Sequence, residues 1–216
     1  MSNRSAYPRR SRGSAAAAAA AAAEQGRSRS RPCDRFYFLL RQHIFFVGFM
    51  GAGKTSVARR VARDCNLSAI DLDAYLERSR ECKVKTLFAD FGEQAFRTIE
   101  HEVLLEVAAM DPLFISCGGG IIKQADNRAV LQRKGCVVYL RVSADEASTR
   151  IRDISSRPLF KDIEAARHMN AEREELYAAV ADITIDTAGK SVMRIAQEAR
   201  KALLRKGVLC QQPKSL

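Results

Sequence analysis

The sequence predicts a three-layer α/β fold, a parallel sheet with helices on both faces, and three observations predict it. Strand-like segments alternate with amphipathic helical ones along residues 43–216, the pattern of a parallel sheet covered by helices. The strand-like segments are short and nearly all apolar, as in Leu113-Phe114-Ile115-Ser116-Cys117 and Cys136-Val137-Val138-Tyr139-Leu140, which suits strands buried on both faces. Residues 48–55 read Gly-Phe-Met-Gly-Ala-Gly-Lys-Thr, a complete G-x-x-x-x-G-K-[ST] loop, set between an apolar run and an amphipathic stretch where a strand–loop–helix phosphate cradle requires it.

Taken in order, the expected strands are 43–47, 69–72, 113–117, 136–141 and 182–186, five in all. Helices are expected at 54–65, 73–80, 84–110, 124–133, 144–152, 163–180 and 190–206. In open parallel sheets, ligands bind beyond the carboxyl ends of the strands. That rule directs attention to the residues after 47, after 70–72, after 117 and after 185.

After the first strand comes the phosphate loop. Its glycines admit backbone conformations and close approaches that a Cβ would block. Successive N–H groups of Gly51, Ala52, Gly53, Lys54, Thr55 and Ser56 then face a polyphosphate at the positive end of the following helix. Lys54 is expected to reach the β- and γ-phosphates, and the Thr55 hydroxyl to ligate Mg²⁺. A nucleoside triphosphate is therefore the expected ligand, and what receives its phosphate is the open question.

After the second strand comes Asp71-Leu72-Asp73. Carboxylates at i and i+2 of an extended segment share one side. One could position a hydroxyl or take its proton, and the other could hold a magnesium-bound water. The plain alternative is that Asp73 caps the helix that follows. In Phe96-Arg97-Thr98-Ile99-Glu100, Glu100 lies three residues after Arg97 and could orient its guanidinium, although the pair alone reads as an exposed helical ion pair. Gly118-Gly119-Gly120, at a strand end, is either backbone exposed to a ligand or a tight turn. Arg150, Arg152 and Arg157 precede Pro158-Leu159. Arg157 reads as a cation on a mobile lid or as part of a solvated basic loop. Arg173, in Glu172-Arg173-Glu174-Glu175-Leu176-Tyr177, reads by itself as an ordinary charged helix face.

The chain of 216 residues divides by composition. Residues 1–42 hold nine consecutive alanines and nine arginines against two acids, so seven of the net +11 charges lie there and residues 43–216 carry +4. Too few large apolar residues are present to offset the entropy of ordering, and residues 1–42 are expected to be a disordered extension, with Phe36–Leu40 able to dock locally. The extension reads as low-complexity sequence, as an organelle-targeting peptide or as a weak polyanion-binding arm. No apolar run reaches the ~20 residues of a membrane span. The six cysteines show no metal spacing, and Cys65, Cys117 and Cys136 look like small buried residues, which fits a reducing cytoplasm.

Together the motifs are more specific than any one of them. Gly51-Ala52-Gly53-Lys54-Thr55, Asp71-Leu72-Asp73, Gly92-Glu93-Gln94 with Phe96-Arg97, Gly118–Gly120, Arg157-Pro158-Leu159 and Arg173 with Leu176-Tyr177 occur in order, and residues 43 to about 205 resemble the shikimate kinases. The resemblance implies a P-loop NTPase-type fold with a five-stranded parallel sheet, a substrate-binding helical insertion at about 73–100 and a lid at about 153–163. It implies ATP-dependent phosphorylation of the 3-hydroxyl of shikimate, with Mg²⁺. Asp73, Arg97, Gly118, Gly119, Gly120 and Arg173 would bind shikimate, Asp73 as the possible base and the two arginines on the carboxylate. Lys54, Asp73 and Arg157 would be catalytic, Arg157 reaching the nucleotide phosphates and Arg150 stacking near the adenine. Thr55 would bind Mg²⁺ directly and Asp71 through water. A cytoplasmic monomer is expected, with no membrane and no nucleic acid bound by the folded domain. Two rivals remain: another P-loop kinase acting on a nucleotide or a sugar acid, and a nucleic-acid binder that uses the basic extension.

Overall fold

The protein is described from a computed structural model, in which residues 36–150 and 162–213 are described. A two-stranded antiparallel ribbon joins β1 (Phe36–Leu40) to β7 (Leu209–Pro213). The main sheet has five parallel strands, β2 (His43–Val47), β3 (Ala69–Asp71), β4 (Phe114–Ser116), β5 (Gly135–Arg141) and β6 (Ile183–Asp186), in the order β3-β4-β2-β5-β6. Every residue of β2 is buried, with β4 on one side and β5 on the other. The chain leaves β2 for one half of the sheet and later returns to build the other, so the crevice lies at the carboxyl end of β2.

The helices are α1 (Lys54–Cys65), α2 (Leu72–Ser79), α3 (Val84–Val107), α4 (Ala125–Lys134), α5 (Ala144–Arg150), α6 (Ile163–Val180) and α7 (Val192–Arg205), with a 3₁₀ turn at Ile121–Lys123. Helix α1 buries Val57, Ala58, Val61, Ala62 and Cys65, an i, i+4, i+8 stripe with flanking alanines. It stops where Asn66 turns left-handed (φ 54°), a conformation its short polar side chain tolerates. Helix α7 starts on a Ser191 cap and lays Ile195, Ala196, Ala199 and Leu203 into the same core.

Three details differ from the sequence expectation. Phe36–Leu40 is a strand, so the ordered body begins before residue 43; the rest of the expected extension, residues 1–35, lies outside the described residues. The cap of α2 is Asp71, whose carboxylate accepts the Ala74 N–H, and not Asp73. The strand ends at Asp71, so Asp73 stands in the first helical turn, where its carboxylate also favours the helix dipole. Helix α3 is broken at Gly92 (φ 77°, ψ 175°), a conformation open to glycine and strained for any side chain. Cys65, Cys117 and Cys136 are buried and unbridged, as expected. No helix among the described residues is long and apolar enough to cross a membrane.

Candidate active site

The phosphate loop leaves β2 and enters α1. Gly51 is left-handed (φ 79°), and a Cβ there would lie 2.8 Å from the Ala147 carbonyl oxygen of α5. Ala52 is buried beneath the loop and its N–H closes a turn onto the Phe49 carbonyl. Lys54 arches back over the loop and donates to the carbonyls of Gly48 (2.8 Å) and Phe49 (2.9 Å). Those two contacts fix its ammonium at the loop mouth. Ser56 is exposed on the first turn of α1.

Beside the lysine, three oxygen-bearing side chains meet. The Thr55 hydroxyl donates to Asp71 Oδ2 at 2.6 Å, while Asp71 Oδ1 caps α2. Ser116 Oγ lies 3.0 Å from Thr55 Oγ1; since the single Thr55 hydroxyl hydrogen is directed to Asp71, the serine is the donor. Two hydroxyls and a carboxylate make the all-oxygen donor set that a hard divalent cation takes. Mg²⁺ keeps several waters and shares phosphate oxygens, so it needs no cage of carboxylates; among the described residues no group of three His, Cys, Asp or Glu could form one.

The acceptor side is built around the three glycines that follow β4. A Cβ on Gly118 would lie 2.9 Å from Asp73 Oδ1 and 3.2 Å from Glu100 Oε1. A Cβ on Gly120 would overlap the Arg97 guanidinium. Arg97 donates to Glu100 Oε2 at 2.7 Å and, more weakly, to Glu93 Oε1, which Lys123 also holds at 2.6 Å. Its guanidinium sits over the Phe96 ring. Glu100 is 1% exposed, so the pair is a buried structural clamp and not the surface ion pair of the bland reading. From α6, Arg173 Nη1 approaches the Gly119 carbonyl at 3.5 Å, and the Tyr177 hydroxyl donates to the same carbonyl at 2.5 Å. Tyr177 is fully buried and stacks on Tyr139 at 5.1 Å. Burial pushes its phenol well up, so it stays a donor. Gly119 also faces Gly48 and Met50, which sets the glycine run against the phosphate loop.

Charges alternate across this cleft. Burial, and next the charge of Asp71, raise the Asp73 carboxyl above its ordinary value, against the pull of Lys54 and Arg97. Burial likewise raises Glu100 against Arg97. A carboxylate raised this way, beside cations, is a stronger proton acceptor than a solvated one.

The structure thus brings Lys54, Thr55, Asp71, Asp73, Arg97, Gly118–Gly120 and Arg173 to one crevice. Arg150 ends α5, the helix whose Ala147 backs Gly51 of the phosphate loop, and is bound to Glu146 and Thr187. Arg157, and all of the expected lid except Asp162 and Ile163, lie outside the described residues. Ser116 and Tyr177 are not among the expected site residues. Ser116 stands two residues before the glycines at a strand's carboxyl end, which is a usable signal; Tyr177 lies one turn after Arg173 within the Arg173, Leu176-Tyr177 motif, which is its signal.

Residues 50–204 match the family model for shikimate kinase. A shikimate kinase of Bacillus cereus (strain AH187) is 36% identical over 162 residues, 74% of this chain and 97% of the relative. That of Lactococcus lactis subsp. cremoris (strain MG1363) is 41% identical over 160 residues, 73% of this chain and 96% of the relative. The shikimate kinase of Acinetobacter baumannii, solved in complex with shikimate, superposes with a TM-score of 0.72 at 34% identity, covering 76% of this chain and 94% of that one. Family model, relatives and the ordered site residues agree: the chain belongs to the shikimate kinase family.

Proposed function

We propose that the chain transfers the γ-phosphoryl group of ATP to the 3-hydroxyl of shikimate, giving shikimate 3-phosphate and ADP, a step of aromatic amino acid biosynthesis. The observation that carries this reading is the acceptor cluster: the Asp73 carboxylate, two guanidinium groups, one of them held by Glu100, and a glycine run, set beside a phosphate loop. Shikimate presents one carboxylate and three hydroxyls. Arg97 and Arg173 take the carboxylate, and Asp73 takes ring hydroxyls. The two anchors leave one hydroxyl facing the γ-phosphate.

In the transfer, the hydroxyl oxygen forms its bond to the γ-phosphorus as the bond from that phosphorus to the β-bridging oxygen breaks. Asp73 receives the hydroxyl proton, and ADP leaves with the bridging oxygen. Lys54 follows the charge that moves onto the β- and γ-phosphates, and Arg157 adds a second cation. Thr55 and Ser116 hydroxyls with Asp71 would hold Mg²⁺. Bound there, the ion would neutralise phosphate charge. Little covalent help is needed, since this chemistry depends on positioning and electrostatics.

The test is product identity. Phosphorus NMR of the product should show one new phosphate ester coupled to the proton on C3 of shikimate. Gluconate and nucleoside monophosphates should yield no product; a phosphate ester of gluconate or a nucleoside diphosphate, with shikimate inert, overturns the assignment. The family resemblance also supports a cytoplasmic monomer that binds no nucleic acid through its folded domain. Light scattering on the purified chain checks the first point, and a dimer mass refutes it.

A further inference from the structure

On the nucleotide side, α5 makes two contacts at once. Ala147 packs its backbone against Gly51 of the phosphate loop, and one residue earlier Glu146 reaches the loop that follows β6. Glu146 Oε1 accepts both the Gly189 N–H, at 2.8 Å, and Arg150 Nη2, at 2.5 Å. Arg150 in turn donates to the Thr187 carbonyl at 2.5 Å and to the Thr187 hydroxyl at 3.0 Å. Thr187 is fully buried, with its N–H and hydroxyl both on the Arg141 carbonyl at the end of β5. Gly189 is left-handed (φ 63°), yet a Cβ there would meet nothing within 4 Å. The loop is therefore held by hydrogen bonds and not by crowding: the Gly189 N–H donates to Glu146, beside the local bonds from Ala188 N–H to Asp186 and from Lys190 N–H to the Thr187 carbonyl.

A guanidinium donates hydrogen bonds in its plane. Arg150 spends its edges on Glu146 and Thr187, which fixes the orientation of the plane and leaves its flat faces for stacking. Among the described residues, Glu146 is the side chain that joins the arginine to the Gly189 backbone.

We propose that Glu146 is a positioning residue for the base of the nucleotide: it locks Arg150 and residues 187–189 into a single wall beside the phosphate loop, and so strengthens binding of the adenosine part of ATP without touching its phosphates. This rests on the reading that Arg150 stacks on the base. It is distinct from the phosphate contacts of Lys54 and Thr55, because a ligand without a base should be indifferent to it.

The experiment is calorimetric titration of the full chain with Mg·ATP and, separately, with magnesium tripolyphosphate, which has the phosphates and no base. Glu146→Ala should weaken Mg·ATP about five- to twenty-fold, less than the loss of a charge-assisted contact made to the ligand itself because Glu146 acts through Arg150 and the loop, and leave tripolyphosphate within about twofold. Glu146→Gln keeps an acceptor oxygen and should fall between wild type and Glu146→Ala. Unchanged ATP affinity in Glu146→Ala overturns the proposal. So does an equal loss for both ligands, which would mark a general structural role. Arg150→Met separates the premise from the proposal. If it leaves the preference for ATP over tripolyphosphate intact, the stacking reading itself fails. If it abolishes the preference while Glu146→Ala does not, only the role of Glu146 fails.

Discussion

The Tyr177 hydroxyl offers a clean perturbation. Tyr177→Phe keeps the buried ring, its stacking on Tyr139 and nearly all its volume, and removes one oxygen. What is lost is the 2.5 Å hydrogen bond to the Gly119 carbonyl, leaving that carbonyl with Arg173 at 3.5 Å, a marginal contact. A buried hydrogen bond is worth about 0.5–1.5 kcal/mol net, and an acceptor left unsatisfied in a buried place costs about 1–3 kcal/mol. The second figure applies here, and partial rescue by Arg173 holds the cost to about 1–2 kcal/mol. For a domain of this size that lowers Tm by about 2–8 °C. The same carbonyl seats both Arg173 and the glycine run, so its release should also reach the acceptor. At 1.4 kcal/mol per tenfold, kcat/KM for shikimate falls about five- to thirty-fold, mostly through KM, while KM for ATP stays within about twofold. Thermal denaturation and initial rates with each substrate varied in turn measure both effects. A lowered Tm with an unchanged shikimate KM would refute the reasoning, since it would show that the carbonyl can wander without moving the arginine.

Other consequences can be measured in the same assays. Arg97→Ala or Arg173→Ala removes a charge-assisted contact worth about 1.5–3 kcal/mol, so kcat/KM for shikimate should drop about ten- to a hundred-fold; an unchanged KM in both would remove the clamp from the account. Arg97→Ala also strands buried Glu100, and should cost more stability than Arg173→Ala in denaturant melts. Lys54→Ala should nearly abolish turnover with the fold intact by circular dichroism. Asp73 gives a pH prediction with a definite sign. Its carboxyl lies above the ordinary aspartate value of 3.8, so between that value and the raised one the folded protein holds a proton that the unfolded chain has lost. Stability then falls as pH rises through that window, and the ionised group is a net cost above it. Asp73→Asn should therefore raise Tm at pH 7 while turnover is lost; a lower Tm contradicts the electrostatics. The acid limb of kcat/KM should likewise sit above 3.8.

Local signals carried most of the fold. Strand 43–47 and helices 54–65 and 163–180 were legible to the residue, because hydrophobic period, glycine breaks and capping agree there. What escaped is non-local or rests on one or two residues. The β1–β7 ribbon pairs Phe36 with Pro213 across almost the whole chain, and no window of sequence contains both partners. The cap moved from Asp73 to Asp71 because the strand-to-helix boundary fell one residue early, and each aspartate would cap equally well by composition. Gly92 sits inside a continuous helical pattern, and only its backbone angles reveal the break. In the site, the phosphate loop and Asp71 announced themselves by motif. Arg97–Glu100 looked like a surface pair until burial made it a clamp. The ribbon has a practical consequence: a truncation for functional work should end before residue 36, since cutting at 42 removes a strand. Removing residues 1–35 should leave kcat/KM unchanged, and removing 1–42 should lower Tm.

The most direct measurement of the central claim is ADP release by the purified chain with Mg·ATP, with and without shikimate, in wild type and Asp73→Asn. The account predicts release that depends on shikimate in the wild type and is lost in the variant, with ATP binding retained in both. A folded, ATP-binding wild type whose ADP release ignores shikimate would contradict it.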